Sequence, residues 1–357
     1  MTKSMHPGIS IALFLSQQGG ADSVIGACAL MQAMHERWPF LHFHIFTTVS
    51  AAVFKKRLGS FFSYHWYPAA LWQAQNPGFA PDHAAARNCP VGSLPASEGG
   101  SELLADMLAD MECLLVLSDA PQWGLAAAKK AGIPWQKFEN FTEPAILESC
   151  RQNLPELFAA APDAEDAGKM KMTADLLCRW TAARHELLDV VSPGGETLGA
   201  APRCKIHGNN AWLHRVVHVL VFDDGNRLLL QKRSVNKTVA PGKWDTSVGG
   251  HVDCGEPVES AMRREMAEEL GMHPKAPRFA YRYVHSNDFE SELVHTYICQ
   301  ASGSIRFNPD EIDAVRFWEL SEITKNLGNA CFSDNFEQEF DLYCQWSKQL
   351  SYTVRDV

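Results

Sequence analysis

Gly250-His251-Val252-Asp253-Cys254-Gly255-Glu256-Pro257, six further residues, and then Arg264-Glu265-Met266-Ala267-Glu268-Glu269-Leu270-Gly271-Met272 form the stretch that decides how this chain is read. As a pattern it is Gly, five residues, Glu, seven residues, then Arg-Glu-apolar-x-Glu-Glu-x-Gly-apolar. Glu256-Pro257 reads as a helix start, because proline is tolerated in a first turn whose N–H groups have no intrahelical partner. Gly271 reads as the stop, since glycine takes the left-handed conformation without a Cβ penalty. Between them Glu265, Glu268 and Glu269 fall at i, i+3 and i+4, which puts three carboxylates within an arc of roughly 100°. Met262, Met266 and Leu270 make the neighbouring apolar stripe that can hold the helix against a sheet.

Carboxylates this close repel one another and raise each other's pKa unless something positive sits among them. Hard oxygen donors in such a cluster suit Mg²⁺ or Mn²⁺, and Mg²⁺ characteristically binds through a few carboxylates plus substrate phosphates. A solvated acidic face is the plainer explanation of Glu-x-x-Glu-Glu alone. Gly250, Glu256, Arg264 and Gly271, all in register with it, weigh against that explanation.

With every fixed position matched, the segment resembles the Nudix box. The resemblance implies a mixed sheet flanked by helices, and Glu265, Glu268 and Glu269 as metal ligands, one of them also orienting or deprotonating water. It implies the Gly250 carbonyl as a further ligand, and an Arg264–Glu256 ion pair bracing loop and helix. The implied chemistry is metal-assisted attack of water on a diphosphate bridge.

At 357 residues the chain exceeds what one core usually supports, so two domains are expected. The composition is that of an ordinary globular protein. A formal charge of −10 argues against general affinity for nucleic acid polymers or anionic membranes. No apolar run approaches the ~20 residues needed to span a bilayer, and the opening MTKSMHPG lacks signal-peptide architecture. The ten cysteines are scattered without a C-x-x-C pair, which suggests reduced thiols and a cytoplasmic protein.

In the N-terminal half, Ile9 to Leu15 reads as a strand, Ser16 to Ser23 as a glycine turn, Val24 to Met34 as a helix and Leu41 to Thr47 as a second strand. That is the start of a Rossmann-like, right-handed parallel α/β layer. Cys113 to Leu117, a helix through Lys130 and the segment Glu139 to Thr142 repeat the rhythm. Residues 76–101 read as a long loop, Ala161 to Gly168 as a linker, and Leu176, Leu177, Trp180 and Ala183 as an amphipathic helix. The early turn, the strand His44 to Thr48 and the run Ser118 to Thr142 look like the N-terminal half of GT-B glycosyltransferases. The histidine-bearing turn of that group is QQGGADS here, so a binding or scaffold role is expected. The expected domains are 1–165, a linker and helix at 166–185, and 186–357.

From Glu186 the pattern turns to β. Leu187 to Val191 and Thr197 onward make a hairpin signal around Ser192 to Gly195. Val216 to Phe222 and Leu228 to Lys232 make another around Asp223 to Asn226, and Tyr281 to His285 and Glu292 to Gln300 supply later strands. Phe317 to Leu320 reads as a strand and Ser321 as the cap of a following helix.

Outside the box, His207, His214, His251, Glu290 and Glu292 resemble, in chain order, the metal site of type I isopentenyl-diphosphate isomerase, itself a Nudix-fold enzyme. Taken singly, each is an ordinary loop histidine or edge carboxylate; together they suit Mn²⁺, Zn²⁺ or Mg²⁺. Against the isomerase reaction, Gly249 stands where that family carries its catalytic cysteine, and the box is intact here. Arg233 and Lys237 have the spacing those enzymes use to hold diphosphate, Arg as a fork and Lys as a point charge. Glu290 or Glu292 is also the expected extra carboxylate beyond the box. The expectation is a two-domain Nudix hydrolase using Mg²⁺ or Mn²⁺ on a small-molecule diphosphate, with a dimer left open. An isomerase and a non-catalytic nucleotide sensor are the alternatives.

Overall fold

The computed structural model describes residues 8–16, 20–66, 98–119, 123–155, 168–237, 239–274 and 276–353. The chain divides into two compact units, Met1–Leu187 with Gly199–Ala201, and Leu188–Leu198 with Pro202–Val357.

The first unit runs β1 (Ile9–Leu15), α1 (Gly20–Arg37), β2 (Leu41–Thr47), α2 (Ala51–Leu58), β3 (Phe62–Trp66), α3 (Glu98–Asp110), β4 (Cys113–Ser118), α4 (Trp123–Ala131), β5 (Trp135–Lys137), α5 (Glu143–Asn153) and α6 (Lys169–His185). Its strands form one parallel sheet in the order β3-β2-β1-β4-β5. Strands buried on both faces must be apolar almost throughout. Ile11, Leu13, Phe43, Ile45, Leu115 and Leu117 are accordingly shut off from solvent. A Cβ on Gly26 would run into the Phe141 carbonyl, so glycine lets α1 approach that turn closely. The α/β expectation therefore holds for this half. Most of the expected 76–101 loop lies outside the described residues, and from Glu98 the chain is helix α3, which the loop assignment missed. The linker also lies outside them except Gly168, the residue preceding α6.

From Leu187 onward the chain runs β6 (Leu187–Val191), β7 (Thr197–Pro202), α7 (Arg203–Ile206), β8 (Leu213–Phe222), β9 (Leu228–Arg233), β10 (Trp244–Asp245), β11 (Val248–His251), α8 (Val258–Leu270), β12 (Arg278–Ser286), β13 (Ser291–Gln300), β14 (Ile312–Trp318), α9 (Leu320–Asn326) and α10 (Asp334–Thr353). The sheet is mixed: β13 runs parallel to β8, while β11 is antiparallel to β8, β12 to β13 and β14 to β9. Side chains alternate across a strand. Val217, Val219 and Val221 of β8 therefore pack on Met262, Met266 and Leu270 of α8. Leu220 and Phe222 pack the other way, on Phe336, Phe340 and Tyr343 of α10. The sheet thus has a box-helix face and a C-terminal-helix face.

Two local expectations need correction. Pro257 is the residue before α8 and not its first residue, since the helix begins at Val258. Glu319, not Ser321, caps α9. The aromatic helix α10 went unread. Gly271, by contrast, ends α8 in the left-handed conformation as expected, at φ 61°. Among the described residues no helix is long and apolar enough to cross a membrane.

Candidate functional site

Strand β11 carries Gly249 and Gly250 side by side, and the pleat sends them to opposite faces. A Cβ on Gly250 would collide with the Glu265 carboxylate of α8, so only glycine lets that carboxylate lie against the strand. Glu269, one turn on, is buried; its Oε2 accepts from Gly249 N–H at 3.2 Å and from Gln231 Nε2 at 3.1 Å. Burial, and then the Glu265 charge, push its pKa up to about 8. Burial also raises Glu265, against the pull of Arg264. Glu268 is the exposed member of the three.

Arg264 ties this helix to the loop before it. Its Nη2 donates to Glu256 Oε2 at 2.8 Å and to the His251 carbonyl at 3.0 Å, and its Nη1 donates to Glu265 Oε1 at 2.7 Å. The loop is held from behind by Asp189, whose Oδ2 accepts from Gly255 N–H at 3.1 Å and from Arg215 Nη1 at 2.8 Å.

Glu311 joins the same face, which no sequence signal indicated. Residues 306–308 cross the end of α8, with Arg306 N–H donating to Leu270 O at 2.8 Å and Asn308 N–H to Glu269 O at 3.0 Å. Glu311 lies close enough that its charge raises both Glu265 and Glu269. Lys237 is paired with it, Nζ to Oε2 at 3.0 Å. Arg233 donates to the Val239 carbonyl at 2.9 Å and lies 3.3 Å from Asp245 Oδ2. Both basic residues therefore have protein partners.

Four of the five residues singled out beyond the box do converge. Ligand atoms of His207, His214, His251 and Glu290 all lie within 4.8 Å of one another. His207 Nε2 is 3.1 Å from His251 Nε2 and 3.2 Å from Glu290 Oε2. His214 is fully enclosed, and neither ring nitrogen makes a hydrogen bond of good geometry, the Trp212 and Ser291 carbonyls being only weakly placed toward it. Burial and the neighbouring His207 pull its pKa down to about 4, and burial with His214 pulls His251 well below the imidazole range. Proton-free imidazoles facing one another over a carboxylate are a donor set that fits a divalent cation. Glu292 is not in this group. It accepts from Asn335 Nδ2 at 2.8 Å, and burial and then Glu290 raise its pKa to about 7.

On the Gly249 side, sequence reasoning missed His218 and Glu339. His218 Nδ1 lies 3.0 Å from Glu339 Oε2, and Glu339 Oε1 accepts from Thr296 Oγ1 at 2.7 Å. Burial alone would lower the imidazole's pKa, but Glu339, with Glu292 and Asp245 beyond it, holds it at about 9. A lone histidine inside the apolar run of β8 was a usable signal for His218; Glu339 sits in an unread helix.

A NUDIX domain model matches residues 212–336. The isopentenyl-diphosphate Delta-isomerase of Streptomyces coelicolor is 32% identical over 161 residues, covering 43% of this chain and 82% of that protein. Isopentenyl-diphosphate Delta-isomerase 2 of Photorhabdus laumondii is 30% identical over 169 residues, covering 46% and 90%. Among solved structures, DR0079 from Deinococcus radiodurans is similar at 22% identity and a TM-score of 0.39, over 43% of this chain and 97% of that one. Through its second unit, the chain belongs to the Nudix family.

Proposed function

We propose that the second unit is a divalent-cation-dependent pyrophosphohydrolase that cleaves a nucleoside diphosphate linked to a group X, or a similar organic diphosphate, by attack of water on phosphorus. The observation that carries this reading is the complete carboxylate set of α8, with Glu265 lying against Gly250 and Glu269 accepting from Gly249 N–H. Glu265, Glu268, Glu269 and the Gly250 carbonyl would hold Mg²⁺ or Mn²⁺, and the crowded, partly buried carboxylates fit such a charge. When bound, the cation neutralises the phosphoryl oxygens and lowers the pKa of water. Glu269, buried and of raised pKa, is placed to orient water and take its proton, with Glu311 as the carboxylate beyond the box. Arg264 is a positioning residue. Arg233 and Lys237 offer a fork and a point charge to the phosphates.

The His207-His214-His251-Glu290 group favours a second reading, an isopentenyl-diphosphate isomerase-like reaction, the activity named for the relatives above. Gly249 opposes it, because without a side chain there one acid/base partner of an allylic proton transfer is missing. We assign residues 1–165 to a Rossmann-like binding layer, supported by the parallel order β3-β2-β1-β4-β5, and the inter-domain boundary to 166–185.

A panel of nucleotide sugars, dinucleotides, oxidised nucleotides and prenyl diphosphates, incubated with the full chain and Mg²⁺ or Mn²⁺, tests the proposal. Release of a monophosphate that Glu269→Gln abolishes supports the hydrolase. Conversion of isopentenyl diphosphate without phosphate release supports the isomerase. Ligand-induced stabilisation with no turnover of any compound would leave a sensor.

A further inference from the structure

The imidazole of His218 lies where a side chain on residue 249 would project. A Cβ built on Gly249 would be 3.2 Å from its Cδ2 and 3.3 Å from its Nε2. The ring's other nitrogen is committed to Glu339, which is itself fully buried and held by Thr296. His218 is only 5% exposed, yet its Nε2 has no hydrogen-bond partner among the described residues. That nitrogen is not one of the atoms sealed from solvent without a partner, so it is open to water or to a polar group of a ligand. The same face carries a second polar chain, in which Tyr283 Oη donates to Asn335 Oδ1 at 2.8 Å and Asn335 Nδ2 to Glu292 Oε2 at 2.8 Å.

We propose that the Gly249 face is the subsite for the group X of the diphosphate, and that His218 Nε2, with Glu292 and Asn335, selects a polar, uncharged, oxygen-bearing X such as a sugar over a hydrocarbon chain. The inference rests on the hydrolase reading for the diphosphate and deepens it for the remainder of the substrate. Two arguments fix the class. A hydrocarbon X would strip water from Nε2 and return no hydrogen-bond partner, and sites built around a hydrogen bond reject analogues lacking it far more strongly than apolar sites reject a missing methylene. An anionic X is disfavoured because Glu339, Glu292 and Asp245 already surround the single imidazolium, and each acts on its charge. A neutral hydroxyl, donor and acceptor at once, can serve His218 Nε2 with or without its proton.

Binding of three hydrolysis-resistant probes to the full chain, measured calorimetrically at saturating Mg²⁺, decides the matter. The probes are methylenediphosphonate, the methylene-bridged analogue of a nucleoside diphosphate sugar, and the methylene-bridged analogue of isopentenyl diphosphate. The wild-type chain is expected to bind the sugar analogue at least about tenfold tighter than the isopentenyl analogue. His218→Phe should remove that preference and leave methylenediphosphonate affinity within about twofold, and His218→Gln, which keeps a donor near the Nε2 position, should restore most of it. Equal wild-type affinity for the sugar and isopentenyl analogues would overturn the inference even if His218→Phe fails to fold. So would a His218→Phe loss shared equally by all three probes. Failure of the hydrolase reading shows separately, as an intact binding preference for X with no cleavage of the natural diphosphate esters.

Discussion

Arg264 clasps Glu256 with two hydrogen bonds, Nη2 to Oε2 at 2.8 Å and Nε to Oε1 at 3.2 Å, across the start of the helix that carries the acidic cluster. The two residues are partly shielded, and the same guanidinium also reaches the His251 carbonyl and Glu265. The clasp therefore sets the position of the loop as well as the local charge.

Arg264→Ala should strand Glu256 and Glu265 without their counter-charge. A fully buried pair broken on one side costs about 3–5 kcal/mol, and the partial exposure here reduces that to about 2 kcal/mol. Arg264→Lys should recover less than half, because an ammonium cannot form the fork. Urea unfolding of the full chain, followed at the transition of the second unit, checks both. An alanine variant as stable as the wild type would show that the clasp is ornamental.

The His218–Glu339 pair predicts a pH dependence. The folded pKa of His218, about 9, lies above the 6.5 of a free imidazole. Its contribution to stability is thus fully present below 6.5 and is lost as pH rises through about 9. Glu269 and Glu292, also raised, lose stability with rising pH in a lower window, from 4.5 through about 8 and about 7. In chelator-treated protein, Glu339→Gln should flatten the upper part of the melting-temperature profile only. It should also lower stability at pH 6 by about 3 kcal/mol, the cost of breaking a buried pair.

How far the sequence disclosed this arrangement varied with whether the signal was local. The box helix was legible because its caps, its i, i+3, i+4 carboxylates and its apolar stripe are properties of one short segment, and Gly271 ends the helix in the left-handed conformation. The histidines were legible only by resemblance, and the fold brought together His207, His214, His251 and Glu290 but not Glu292. Glu311, Glu339 and Asn335 could not be found, because their significance arises from tertiary contacts, β14's preceding loop crossing the end of α8 and α10 covering the far sheet face. Arg233 and Lys237 were singled out as cations, whereas their partners Asp245 and Glu311 are separated from them by 12 and 74 positions.

Two separable cation sites should be countable. Equilibrium Mn²⁺ titration, followed by the paramagnetic signal of free ion, is expected to show His214→Ala losing one site while Glu268→Gln and Glu269→Gln weaken another. Because burial keeps His214 and His251 proton-free well below neutrality, the histidine site should outlast the carboxylate site as pH falls, the latter weakening as Glu269 takes up its proton below about 8. A titration in which His214→Ala changes nothing would reduce the cluster to a packed group of imidazoles.

The adjacent glycines give a control with opposite geometry in consecutive positions. Gly250→Ala would place its methyl in the Glu265 carboxylate, which must swing away from the strand to make room, and should cost at least about a hundredfold in kcat for diphosphate cleavage. Gly249→Ala points the other way, where its methyl meets the His218 ring at 3.2–3.3 Å and a few tenths of an ångström of movement relieves the contact. It should leave kcat within about tenfold and act on KM for substrates with a large X, because a methyl there competes with the substrate for the same imidazole. Steady-state kinetics of the two variants on one substrate suffices. If Gly250→Ala were the milder of the two, the carboxylates of α8 would not be the catalytic face.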